Sequence, residues 1–466
     1  MGRDGLRFFS FSVFLGAAMS PGVSPASVLD DGEPVSLYAA DADARFVGFD
    51  VAALPDNDFA VTWVERNSVD QTESVRLARF DRNGEPRGAA LTVDDTPDQA
   101  NFPRLSDPVV ATNGAGNKVV VWNSGAAEGA SECRRFVQFR LVDNNGTASP
   151  TQFFQDTANG FNCNLEVAMN EQGLFILSVK YGLEDNYLMQ VRGEDGTGVG
   201  APVTRGQAGG ASHPMVVALQ ESSGMAVWSE QAGAGTVLLA SRFDLSGDTL
   251  GGGDFRFDNN AHDADGLNQS AVSLVATPDG GYMGAWLQVE SDGSEPVYSQ
   301  RIQRWRADGT VAGSARVGAT PFDVSSDRVD LDVGAGGGAI TAWTGSHDDG
   351  ARDRYATVIN GDQAVGDAPV VVARSDAALF DSSETTKVAL ADEIAMVVWY
   401  EQSDENSGPI LKARIGTLSE APADSAEGGG GGGGPMGPLV LFATLALLFR
   451  KKKPGGNAAR LDRSGD

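Results

Sequence analysis

A chain of 466 residues with 41% apolar content is long enough to bury a large core, which excludes a disordered protein. Its net charge of -28, with the concentrated basic residues confined to the two ends, makes the body a poor partner for phosphate backbones and anionic headgroups, so nucleic-acid binding is not expected. Fifty-nine glycines spread among short β-branched and aromatic runs favour many short strands joined by turns, an all-β protein.

At the N-terminus, Arg3 and Arg7 precede an apolar stretch, Phe8 to Met19, followed by small residues and prolines up to Ser27. This is the layout of a secretory signal over residues 1–26, with cleavage expected after Ala26 and the export machinery as a partner.

From residue 33 to 418 one pattern recurs seven times: a short apolar strand, a turn, a second strand usually ending in Trp, a polar loop, a third strand, and a turn into a fourth. The second strands include FAVTWVE at Phe59, KVVVWNS at Lys118, GMAVWSE at Gly224 and AMVVWYE at Ala395. Aligned on Trp63, Trp122, Ser178, Trp228, Trp286, Trp343 and Trp399, the repeats stand 50 to 59 residues apart, the third having lost its Trp. Third strands run into glycine-containing turns such as RNG, NNG and RADG, which suit the positive φ of tight hairpins. About 56 residues holding four short antiparallel strands matches one propeller blade, so the expected fold is a seven-bladed β-propeller of four-stranded blades.

The seventh repeat ends after three strands, whereas an orphan segment, Glu33 to Asp43, precedes the first and resembles the fourth-strand segment Glu85 to Asp95. Pro34 to Ala39 is therefore expected to complete the last blade and join the two ends of the ring. Tandem β-sandwiches would leave that segment unexplained. The repeated Trp is read as blade-to-blade packing, because it keeps one strand position. The resemblance is to propeller architecture alone, since the WD40, FG-GAP and Asp-box signatures are missing.

In a propeller, the loops between second and third strands and those between blades emerge on one face, and here that face collects many carboxylates, Glu73, Asp353 and Glu401 among them. Calcium is the cofactor such a ring would take, but no loop has calcium-ligand spacing, and a solvated acidic surface is the preferred reading with no cofactor assigned. His347, Asp348 and Asp349, and His262, Asp263 and Asp265, are the weak candidates for a metal site or a base. No nucleophile elbow, zinc motif or phosphate loop identifies an enzyme. Cys133 and Cys163 fall on the same expected face, where a disulfide would tie neighbouring blades in an oxidising compartment.

After a linker over 419–434, the chain carries an unbroken tract of Gly428, Gly429, Gly430, Gly431, Gly432, Gly433 and Gly434, then Pro435. An apolar segment follows, Met436 to Phe449, with Arg450, Lys451, Lys452 and Lys453 behind it (435–453 in all) and a tail over 454–466. Fourteen apolar residues fall short of the roughly 20 a standard spanning helix needs, and the basic cluster favours the cytoplasmic side. This arrangement resembles the GlyGly-CTERM class of bacterial sorting tags, which implies recognition by the rhomboid-type protease rhombosortase and cutting near the glycine tract. The pure glycine tract and the 13 residues after the basic cluster depart from that pattern. The reading that results is an exported propeller with a monomeric body, held at the membrane or displayed at the cell surface as a binding or scaffold module. A secreted carbohydrate-active hydrolase or lyase and a purely structural surface protein are the alternatives.

Overall fold

The computed structural model describes residues 33–67, 69, 72–94, 105–125, 136–156, 162–181, 186–206, 215–232, 235–258, 267–290, 297–318, 329–346, 352–359, 370–375, 385–401 and 408–418. The signal segment, the glycine tract and the basic cluster lie outside them.

A closing strand, β1 (Val35–Ala39), comes first. Blade 1 is β2 (Ala44–Leu54), β3 (Asp58–Asn67), β4 (Glu73–Phe80) and β5 (Leu91–Thr92), and blade 2 is β6 (Leu105–Thr112), β7 (Lys118–Ser124), β8 (Phe136–Val142) and β9 (Gln152–Asp156). Blade 3 is β10 (Asn162–Met169), β11 (Phe175–Tyr181), β12 (Asn186–Arg192) and β13 (Val203–Arg205), and blade 4 is β14 (Val216–Leu219), β15 (Ser223–Ala232), β16 (Gly235–Asp244) and β17 (Thr249–Arg256). Blade 5 is β18 (Leu267–Ala276), β19 (Tyr282–Glu290), β20 (Val297–Trp305) and β21 (Val311–Gly318), and blade 6 is β22 (Val329–Val333), β23 (Ala339–Ser346), β24 (Arg352–Ile359) and β25 (Val370–Ser375). Blade 7 contributes β26 (Lys387–Ala391), β27 (Ile394–Glu401) and β28 (Ile410–Thr417).

Its fourth strand is β1, which pairs antiparallel with β28, Val35 opposite Ala413 and Ala39 opposite Ile410. The chain is a seven-bladed β-propeller closed by its N-terminal strand. Within blades 1 to 6 the strands are antiparallel and in sequence order, blade 7 runs β26-β27-β28-β1, and among the described residues a single parallel bridge, Thr236 with Asn268, links blades 4 and 5.

The apolar residues separate into seven clusters, each spanning one boundary between adjacent blades. Adjacent residues of one strand serve opposite boundaries: Val120 packs toward blade 1 and Val121 toward blade 3. A strand buried on both faces reads as a continuous apolar run instead of an alternating one, which explains VVVW in β7. The six tryptophans of the repeat are all buried, from 0 to 2% exposed. Trp63, Trp122, Trp228, Trp286 and Trp343 each pack into the boundary with the preceding blade.

The third repeat corrects the sequence alignment by one residue. Its hairpin, Asn170 to Leu174, matches Asn113 to Asn117 of blade 2, each closed by the same pair of backbone hydrogen bonds. Counting from those hairpins sets Val179, not Ser178, in the tryptophan register. Val179 is fully buried in the boundary with blade 2, while Ser178 faces the other way and donates to the Met215 carbonyl of blade 4 at 3.1 Å. Restoring the repeat by Val179→Trp is therefore expected to destabilise the protein by about 1–3 kcal/mol, because Phe139 and Phe175 already fill the space with ring centroids 5.6 Å apart. Urea denaturation checks this, and a rise in stability would refute it.

Candidate functional site

The innermost strands of all seven blades converge on the propeller axis and line a cavity of about 610 Å³. Registers against the second strands place one residue per blade at a common height, just before the tryptophan position. These are Asp50, Val109, Glu166, Val216, Ser273, Asp330 and Lys387, opposite Thr62, Val121, Ser178, Val227, Ala285, Ala342 and Val398. Two residues further along, the corresponding layer is Ala52, Ala111, Ala168, Ala218, Val275, Asp332 and Ala389. Small side chains dominate this layer, and Asp332 is its one charged member.

The charges gather on the wall formed by blades 6, 7 and 1. Lys387 Nζ lies 3.1 Å from Asp50 Oδ1 and 3.8 Å from Asp330 Oδ1, so a cation from blade 7 stands between carboxylates of its two neighbours. The same carboxylates serve the backbone. An innermost strand turns one edge toward the channel, and N–H groups on that edge need acceptors from outside the sheet. Val110 N donates to Asp50 Oδ2 at 2.9 Å, Val388 N to Asp330 Oδ2 at 2.7 Å, and Leu390 N to Asp332 Oδ2 at 2.7 Å. Each of these bonds crosses a blade boundary. Val333 N also donates to Asp332 Oδ1 at 2.8 Å.

Burial pushes the Asp332 carboxyl up to about 7, and the Asp330 and Asp50 charges add to the shift, while its two amide hydrogen bonds oppose it. Asp332 borders the channel and keeps some exposed surface. Its carboxyl is nonetheless enclosed by the ring, and desolvation prevails.

On the loop face, three of the described carboxylates, Glu73, Asp353 and Glu401, form ion pairs. Glu73 pairs with Arg66 and accepts from Leu105 N, at the boundary with blade 2. Asp353, fully buried, takes a two-pronged contact from Arg374 at 3.0 and 2.9 Å. Glu401 accepts from Lys412 at 2.6 Å and from the Trp399 indole at 2.8 Å. The candidates His262, Asp263, Asp265, His347, Asp348 and Asp349 lie outside the described residues, as does Cys133, and nothing is described of the Cys163 side chain in β10. Among the described residues, no group of three His, Cys, Asp or Glu side chains is placed to hold a metal ion, and no helix is long and apolar enough to cross a membrane.

No family model matches the chain, and no curated protein matches it in sequence. Several solved structures align over most of this chain. One is a protein of unknown function from Dyadobacter fermentans DSM 18053, 9% identical over 85% of this chain and 100% of that one, with a TM-score of 0.49. Another is an ulvan lyase of a new polysaccharide lyase family, 14% identical over 84% and 98%, with a TM-score of 0.46. A third is the β-propeller domain of the trilobed protease from Pyrococcus furiosus, described as an open velcro topology, 8% identical over 82% and 97%, with a TM-score of 0.42.

The channel wall escaped the sequence reading because that reading aligned the second strands. The signal lay in the first strands, where VDLDV alternates Asp330 and Asp332 with apolar residues and KVALA opens on Lys387.

Proposed function

We propose that this chain is an exported propeller, sorted to the cell surface or held at a membrane, that acts as a binding or scaffold module. The observation that carries the reading is the closure of blade 7, whose adjacent strands β1 and β28 are the first and last strands of the ring. Both ends of the folded body thus leave from one blade, and the glycine tract begins at Gly428, shortly after β28 ends at Thr417. A tether attached there loads a single blade and leaves the other six free for partners. The secretory layout of residues 1–26 and the likeness of 428–453 to GlyGly-CTERM tags support the same orientation.

The test is the intact mass of the protein recovered separately from membranes and medium of its native host. A species lacking residues 1–26 and ending within Gly428–Gly434 is expected. A full-length C-terminus found only in membranes would replace sorting by permanent anchoring. Turnover of a polysaccharide that is lost in His347→Ala or His262→Ala would select a carbohydrate-active hydrolase or lyase in place of a binding module.

A further inference from the structure

The hairpins that join third to fourth strands follow one plan in blades 1 to 5. Residues 81–85, 143–147, 193–197, 244–248 and 306–310 are each closed by the same two backbone hydrogen bonds, from the first residue's N–H to the fifth carbonyl and from the fourth N–H to the first carbonyl. The third and fifth positions differ. Blade 1 has Asn83 with Glu85, blades 3 and 5 have Asp195 with Thr197 and Asp308 with Thr310, and blade 4 has Ser246 with Asp248. Of these five hairpins, only that of blade 2 sets an asparagine, Asn145, two residues before a hydroxyl, Thr147. Asn-x-Ser/Thr in a surface loop is the acceptor pattern for N-linked sugar in secreted proteins.

We propose that Asn145 is a glycosylation site, modified by a transferase that draws its oligosaccharide from a lipid-pyrophosphate carrier. In that step a bond forms between Asn145 Nδ2 and C1 of the first sugar, the C1–O bond to the pyrophosphate breaks, and the amide proton leaves with the pyrophosphate. The inference rests on the reading of this chain as exported.

The hairpin backbone supports the chemistry. In blade 3, Thr197 Oγ1 donates to Asp195 Oδ1 at 2.7 Å, and in blade 5, Thr310 Oγ1 donates to Asp308 Oδ1 at 2.6 Å. A hydroxyl at the fifth position therefore reaches the side chain at the third, which in blade 2 is an amide. Donation to the amide oxygen polarises the group toward giving up its nitrogen-bound proton. Asp143 stands two residues before Asn145, and its carboxylate accepts from Thr147 N at 2.7 Å and from the side chains of Asn145 and Thr147. Drawn out of the turn, that carboxylate is a charge by which a cationic side chain of the transferase can hold the segment.

The hairpin tip also has room. Asn144, Asn145, Gly146 and Thr147 are all exposed, and a Cβ on Gly146 would meet nothing within 4 Å. The contact with blade 1 falls to Asn144, which accepts from Arg79 at 3.2 Å. The sequence holds one other Asn-x-Ser/Thr, at Asn268, Gln269 and Ser270. That one lies inside β18, where Asn268 is paired with Val289 of β19 on one side and Thr236 of β16 on the other, and Gly266 stands where the first site has Asp143. Backbone engaged on both sides is not presented to a transferase, so no sugar is expected at Asn268.

The experiment is peptide mapping by mass spectrometry of the protein recovered from membranes and medium of its native host. Cleavage after arginine and lysine releases residues 141–180, in which Asn145 begins the one Asn-x-Ser/Thr. This peptide is expected to carry a sugar mass on Asn145 that is lost in Asn145→Gln and Thr147→Ala and retained in Thr147→Ser. Both positions are exposed, so the variants should still be recovered as folded protein. A protein that lacks residues 1–26 and carries Asn145 unmodified would overturn the glycosylation and leave export standing. A protein that retains residues 1–26 would overturn the export reading and the site with it. Sugar found on Asn268 instead, or retained on Asn145 in Thr147→Ala, would overturn the selection argued from the hairpin.

Discussion

Replacing residues 35–39 of the full chain by a glycine-serine stretch is expected to lower the melting temperature by about 5 °C or more and to make the protein self-associate. The segment is short, but it touches both blades at the seam. Within blade 7 it pairs with β28, and Leu37 is buried in the cluster shared with blade 1. Tyr38 then crosses the boundary: its ring centroid lies 4.8 Å from that of Trp63, and its hydroxyl donates to Glu65 Oε2 at 2.9 Å. Burial, followed by the bond to Glu65, pushes that hydroxyl up to about 12, so the bond survives well above neutral pH. Val35 packs on the hairpin of blade 1 where Gly84 has φ +82°, and a Cβ at Gly84 would lie 2.7 Å from Val35 Cγ2.

One buried Leu contributes about 2 kcal/mol and each strand hydrogen bond about 1 kcal/mol, so losing β1 costs on the order of 5 kcal/mol. For a domain of this size that corresponds to a shift of roughly 5 °C or more. The loss also bares the edge of β28, an invitation to pair with a second chain. Calorimetry and size-exclusion chromatography test both effects, and a synthetic peptide of residues 33–40 should reverse them by strand addition. An unchanged melting temperature would mean that the ring holds without its closing strand.

The blade count, the hairpins and the closure were legible because each leaves a local mark: a tryptophan at a fixed strand position, a glycine at positive φ, a missing fourth strand at one end and a spare one at the other. Register was less legible. In LFILSVK the residue that replaces Trp is chosen by hairpin length, and a slip of one residue exchanges the two faces of a strand. Ser178 and Val179 therefore trade places once Asn170 to Leu174 is recognised as the hairpin. The channel wall was hidden for a related reason. Innermost strands carry irregularities between Phe46 and Gly48, Ser106 and Val109, Cys163 and Leu165, and Ser270 and Ser273, which spoil any count along the first strands. Asp50 joins Asp330 and Lys387 only when the ring closes and sets blade 7 beside blade 1.

Trp63→Ala is expected to cost about 3–5 kcal/mol, among the largest effects of any single substitution in the ring. The side chain is fully buried at the boundary between blades 7 and 1, packed with Phe49, Val61, Val398 and Leu411, and it carries the Tyr38 ring of the closing strand. Removing it opens a cavity at the seam where the two ends of the ring meet. Trp63→Phe should cost far less. The Trp63 indole N–H is buried with no hydrogen-bond partner among the described residues, so replacing it forfeits packing area but leaves no polar group stranded. Trp122 provides the contrast. Its indole donates to Gln138 Oε1 at 2.9 Å, and Gln138 is 3% exposed, so Trp122→Phe strands a buried acceptor and should cost about 1–3 kcal/mol beyond the lost area. Urea denaturation of the three variants separates packing from hydrogen bonding, since the two phenylalanine variants remove the same surface. Equal costs for Trp63→Phe and Trp122→Phe would show that the indole bond in blade 2 contributes nothing and that the tryptophans act through volume alone.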